Sequence, residues 1–160
     1  MKTYYRLPTG RSLAFVARTG TTAILCAVSV SFPGYQEDWC CESVLPPECV
    51  VVVREPVRRF QSLLWAMHTT ADEAIGHLTN SPHYRCGRGY LSHFRPVSTL
   101  VQPDSRLFIF GDIAVWPALG LAPYTEVVGA TPEFPVLSQE QENAVRQIYA
   151  DDIALWESLA

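Results

Sequence analysis

The stretch that most constrains this chain is residues 49–62, where Val50, Val51, Val52 and Val53 run into Arg54-Glu55-Pro56. Four β-branched residues in a row predict a short strand buried on both faces. Pro56 suits the first turn of a helix, and Val57, Phe60, Leu63, Leu64 and Met67 then recur at helical spacing while Arg58, Arg59, Gln61 and Ser62 take other faces. A strand therefore carries Arg54 to its carboxyl end, with Ser62 about two helical turns further on. In an open α/β sheet that end is where anionic ligands bind. A guanidinium and a hydroxyl can together grip a phosphate.

A second such corner precedes it. Leu13-Ala14-Phe15-Val16-Ala17 predicts a buried strand, paired through the turn at Pro8-Thr9-Gly10 with an earlier strand carrying Tyr4, Tyr5 and Leu7. Arg18-Thr19-Gly20-Thr21-Thr22 then opens a helix. Gly20 permits close backbone approach, Thr21 or Thr22 can cap the helix or touch an anion, and the first helical N–H groups face outward. No lysine follows Gly20, so the GxxxxGK[ST] pattern of ATP-hydrolysing loops is absent. That disfavours a kinase.

Together these strings resemble the sulfotransferases that use 3′-phosphoadenosine 5′-phosphosulfate (PAPS), and most closely their carbohydrate branch. An arginine, a proline two positions on, a second arginine at the fifth position and a serine at the eighth match the family's 3′-phosphate motif at Arg54, Pro56, Arg59 and Ser62. Gly20, Thr21 and Thr22 match its 5′-phosphosulfate loop, except that Arg18 stands where the family has lysine. His93, Phe94 and Pro96 match a third segment, in which Val97 replaces a glutamine. Tyr149-Ala150-Asp151-Asp152 is similar to the family's tail.

The resemblance implies an α/β, P-loop-like three-layer domain over 1–160, with a small, mostly parallel sheet flanked by helices. It implies sulfuryl transfer to a hydroxyl or amine on a small-molecule or carbohydrate acceptor, leaving 3′-phosphoadenosine 5′-phosphate (PAP). Arg18, Thr19, Gly20, Thr21, Thr22, Arg54 and Ser62 would hold the nucleotide. Arg88, in the basic loop with Arg85, would fold over an anion or else belong to a mobile surface loop. Arg18 would also act on the departing oxygen. The attacking hydroxyl needs a proton acceptor, for which Glu37, Asp38 and Glu42, expected in a rim loop, and His68 are candidates. The alternative is a degenerate member that binds nucleotide or a protein partner without turnover, favoured by Arg18 and by the short interval between the two motifs.

Composition narrows the setting. With 160 residues and 48% hydrophobic content the chain can bury a sizeable core, and a net charge of −4 argues against a nucleic-acid binder. Cys26, Cys40, Cys41, Cys49 and Cys86 form no CxxC pair, so neither a disulfide framework nor a metal site is expected. The absence of a signal-like start or a bilayer-length apolar run predicts no membrane partner and a reducing cytoplasm.

Other elements follow from local pattern. Residues 24–32 predict a core helix or, from their Val and Ser content, a strand; residues 72–78 a short helix; and residues 107–110 a buried strand. After that strand Asp112 is expected as a cap or orienting group rather than a catalyst. Ser138, with Gln141 three residues on, starts a final helix whose apolar stripe runs from Ala144 to Leu159.

Overall fold

The computed structural model describes residues 2–80, 93–124, 126 and 133–160. In chain order the elements are β1 (Lys2–Arg6), β2 (Ser12–Ala14), α1 (Thr21–Ser31), β3 (Asp38–Glu42), β4 (Val50–Val53), α2 (Pro56–Met67), α3 (Ala71–Asn80), β5 (Arg106–Ile109), α4 (Val115–Ala118), α5 (Gln139–Ile148) and α6 (Ala150–Leu159). The fold is α/β. Two compact units divide the chain, one comprising Met1–Val53 with Leu100–Ala130 and the other Arg54–Thr99 with Thr131–Ala160.

The first unit contains a five-stranded sheet in the order β3-β1-β2-β4-β5. The sheet is mixed rather than mostly parallel. β1 runs antiparallel to both β2 and β3, whereas β4 runs parallel to β2 and β5. Connection length explains the split: the tight turn at Pro8–Gly10 can only return the chain antiparallel, while the longer path through α1 allows a parallel return. In that turn Gly10 takes φ 78° and donates its N–H to the Leu7 carbonyl at 2.9 Å.

Alternation along the strands divides the core. Leu13, Val50 and Val52 join Ile24 and Val28 of α1 and Val115 and Leu119 of α4 in one cluster. Val51 and Val53, which point to the other face, are also fully buried. Residues 21–31 are therefore helix. Strand β5 is half-buried rather than buried.

Strand β3 replaces the expected rim loop. The Tyr35 hydroxyl donates to the Arg6 carbonyl at 2.8 Å and accepts the Asp38 N–H at 3.3 Å, tying the start of β3 to the end of β1. The ladder then runs from Asp38 opposite Arg6 to Glu42 opposite Lys2.

The second unit is helical. Pro56 occupies the first turn of α2, and the Glu55 carboxylate accepts the N–H groups of Val57 and Arg58 at 3.2 and 2.6 Å. The buried face of α2 presents Phe60, whose ring lies 5.7 Å from Phe94 and 6.3 Å from Tyr149. Ser138 and Gln141 form the expected reciprocal cap of α5. The single final helix is instead broken at Tyr149, whose φ of −106° and ψ of 28° separate α5 from α6. The break accompanies burial of the Tyr149 ring and donation of its hydroxyl to the Phe94 carbonyl at 2.6 Å.

A polar knot sits beside that ring. Arg59, only 2% exposed, donates to the carbonyls of His93 and Arg95 at 3.0 and 2.8 Å. Its partner Asp152, 1% exposed, lies 3.8 Å away and accepts the N–H groups of Val97 and Ser98, both at 2.8 Å. Three strings separated in sequence, around Arg59, residues 93–98 and residues 149–152, thus interlock through buried hydrogen bonds. Burial together with the Arg59 charge lowers the pKa of His93.

Candidate functional site

The turn from β2 into α1 is the most specialised backbone in the first unit. Arg18 and Gly20 both take positive φ, 64° and 89°, on either side of Thr19. Such alternation aims successive backbone N–H groups into a concavity that suits anions. For an arginine this region is strained by roughly 1–2 kcal/mol. A Cβ at Gly20 would meet the Phe110 ring at 3.1 Å, so glycine is required both by its dihedral and by this close approach.

The threonines divide their work. The hydroxyls of Thr19 and Thr21 are buried and donate to the Val16 carbonyl at 2.9 and 3.1 Å. They fasten the turn and do not present hydroxyls to a ligand. Thr22 is exposed. The first N–H groups of α1 have no acceptor within the helix and carry the positive end of its dipole. Arg18 is partly buried, and desolvation lowers its pKa while leaving it charged at neutral pH.

Strands β2 and β4 are parallel neighbours, with Leu13 opposite Val50. Their carboxyl ends therefore lie at one edge of the sheet, β2 leading to Arg18 and β4 ending at Val53, directly before Arg54. In the second unit the Arg54 guanidinium lies 5.6 Å from the Phe134 ring centroid and that of Arg58 5.2 Å, placing two cations against one aromatic ring. Ser62 is 0% exposed. Its hydroxyl is therefore enclosed in the second unit. Arg59 likewise points into the polar knot.

The candidate bases do not assemble in one place. Asp38 stands opposite Arg6, which in turn stands opposite Ser12 at the start of β2. Glu37 and Asp38 thus lie at the edge of the sheet opposite the Arg18 turn. Glu42, at the other end of β3, accepts the Tyr4 hydroxyl at 2.9 Å and pairs with Arg6 at 3.5 Å. His68 is an exposed residue at the carboxyl end of α2, with φ 51°. A helix of 12 residues separates it by about 18 Å from the end near Arg54. Arg88 lies outside the described residues.

Next to Gly20 is a cavity of about 250 Å³ bounded by Thr19, Phe110, Asp112, Ile113, Trp116 and Tyr124. The Asp112 carboxylate accepts the Ala114 N–H at 2.8 Å, ahead of α4, whose start has no side-chain cap, and it also lines this cavity. Ile113 is 77% exposed and Phe110 44% exposed. As a cavity lining this group is not expected from the sequence, where Asp112 reads as a cap or orienting group. Its signal was a strand ending in Phe110-Gly111-Asp112, with Trp116 and Tyr124 to follow.

Among the described residues no group of three or more His, Cys, Asp and Glu is placed to hold a metal ion, and no helix is long and apolar enough to cross a membrane. In comparisons with protein-family models, curated proteins and solved structures, none matched the chain.

Proposed function

We propose that the chain is a P-loop-like sulfotransferase, binding PAPS and transferring its sulfuryl group to a hydroxyl or amine on a small-molecule or carbohydrate acceptor. One observation carries the reading: the strands that run into Arg18 and Arg54 are parallel neighbours, so both lead to the same edge of the sheet. Arg18 and the N–H groups at the start of α1 counter the charge that builds on the bridging oxygen as it departs. Arg54 takes the 3′-phosphate, which distinguishes PAPS from ATP. Positioning and charge stabilisation carry the chemistry, as in phosphoryl transfer.

Calorimetry with PAP tests the binding half. Arg54→Ala weakens binding by roughly 2–3 kcal/mol, the scale of a lost charged hydrogen bond; unchanged affinity removes Arg54 from the site. Transfer of labelled sulfate tests the other half, with Arg18→Lys expected to raise the rate more than the affinity. ATP with magnesium binding more tightly than PAP overturns both. Nucleotide binding without turnover is the second reading. It is favoured by the position of Glu37 and Asp38 at the opposite edge from the Arg18 turn.

A further inference from the structure

We infer that the cavity beside Gly20 receives the acceptor, a compact aromatic alcohol, and that Asp112 takes its proton; this rests on the sulfuryl-transfer reading above. The cavity opens beside Thr19 and Gly20, where the reacting group sits in that reading. Its volume of about 250 Å³ falls below the roughly 300–1,000 Å³ of sites for drug-sized ligands, which leaves room for a ring system and not for a sugar chain. Its walls agree. Phe110, Trp116 and Tyr124 offer faces for stacking, and the exposed Ile113 and Phe110 leave apolar area that a flat ring would cover.

Among the described residues of this lining Asp112 is the one carboxylate. Gly111, at φ 95°, turns the chain sharply after β5, and the Ala114 N–H holds the carboxylate by Oδ1. In the step, the acceptor oxygen forms its bond to sulfur while the bond from sulfur to the 5′-phosphate oxygen breaks. That electron pair leaves on PAP, and the acceptor's proton passes to the Asp112 carboxylate. Neither an oxidant nor a further reactant is needed.

The test uses the whole chain with 2-naphthol as the probe. Calorimetry is expected to show one naphthol site that fills whether or not PAP is bound, and Ile113→Asp, a change on an exposed rim residue, weakens it at least tenfold. With labelled PAPS, naphthol takes the label and N-acetylglucosamine does not. Asp112→Asn lowers that rate by about 10²–10⁴-fold, the usual contribution of general-base catalysis, while leaving PAP and naphthol affinities within about threefold.

Competition between PAP and naphthol overturns the assignment, because the cavity then belongs to the nucleotide's own base. PAP binding without naphthol binding overturns this inference alone, as does a sugar labelled in preference to naphthol or an Asp112→Asn rate equal to the parent. Failure of PAP to bind at all removes the sulfuryl-transfer reading and this inference with it.

Discussion

Replacing Asp152 with alanine removes the centre of the buried knot in the helical unit. Its carboxylate accepts two backbone N–H groups at 2.8 Å and lies 3.8 Å from Arg59. Hydrogen bonds to a charged group contribute about 1.5–3 kcal/mol each, but bonds sharing one acceptor group are not additive. The larger consequence is that Arg59, 2% exposed, keeps its charge but loses the carboxylate 3.8 Å from it. Breaking a buried pair from one side costs about 3–5 kcal/mol, so we expect a loss of about 4 kcal/mol. With a urea dependence near 2 kcal/mol per molar, the midpoint falls by about 2 M. Urea titration followed by far-UV circular dichroism measures it. Asp152→Asn retains one acceptor and falls between the parent and the alanine variant. A midpoint shift under about 0.5 M for Asp152→Ala, or one matched by Asp152→Asn, would refute the claim that charge compensation of Arg59 dominates.

Burial pushes the Cys49 thiol up to about 12, so it reacts with a disulfide reagent far more slowly than the exposed Cys41; equal rates in the folded protein would contradict its burial. His93 titrates below its ordinary 6.5 because it is desolvated and faces Arg59. The unfolded chain then binds a proton that the folded chain resists, so stability is lost as pH falls from 6.5 through the lower folded value. His93→Gln flattens that slope, and a histidine resonance titrating at or above 6.5 would show the sign to be wrong. Gly20→Ala places a Cβ at positive φ against the Phe110 ring and costs about 1–2 kcal/mol in thermal unfolding; a stabilised variant would count against the turn as described.

Local chemistry made much of the fold legible. The valine run, the proline at the start of α2, and the Ser138–Gln141 cap all act between residues a few positions apart, and each formed where its pattern placed it. Strand β3 escaped notice because it is an exposed edge, with Trp39 67% exposed, and lacks the apolar alternation that marks a half-buried strand. The break at Tyr149 was hidden because the apolar stripe continues across it; the distant Phe60 ring and Phe94 carbonyl meet that side chain.

Strand direction was also out of reach, since it depends on which strands become neighbours. At the candidate site, the Arg18 turn could be read from residues 18–22, but the inward use of the Thr19 and Thr21 hydroxyls depends on the path of Val16. The enclosure of Ser62 and the opposite-edge position of Asp38 are tertiary facts with no local signature.

Strand β4 reaches its outer neighbour, β5, only after everything from Arg54 to Ser105 has been made. While the chain is still leaving the ribosome, Val50 to Val53 therefore offer an unpaired row of N–H and carbonyl groups bearing four apolar side chains. Such a segment invites pairing with the same segment of another nascent molecule. The run that makes the finished sheet durable is thus its most vulnerable point during synthesis, and crowding of unfinished chains is the hazard this sequence has to outpace.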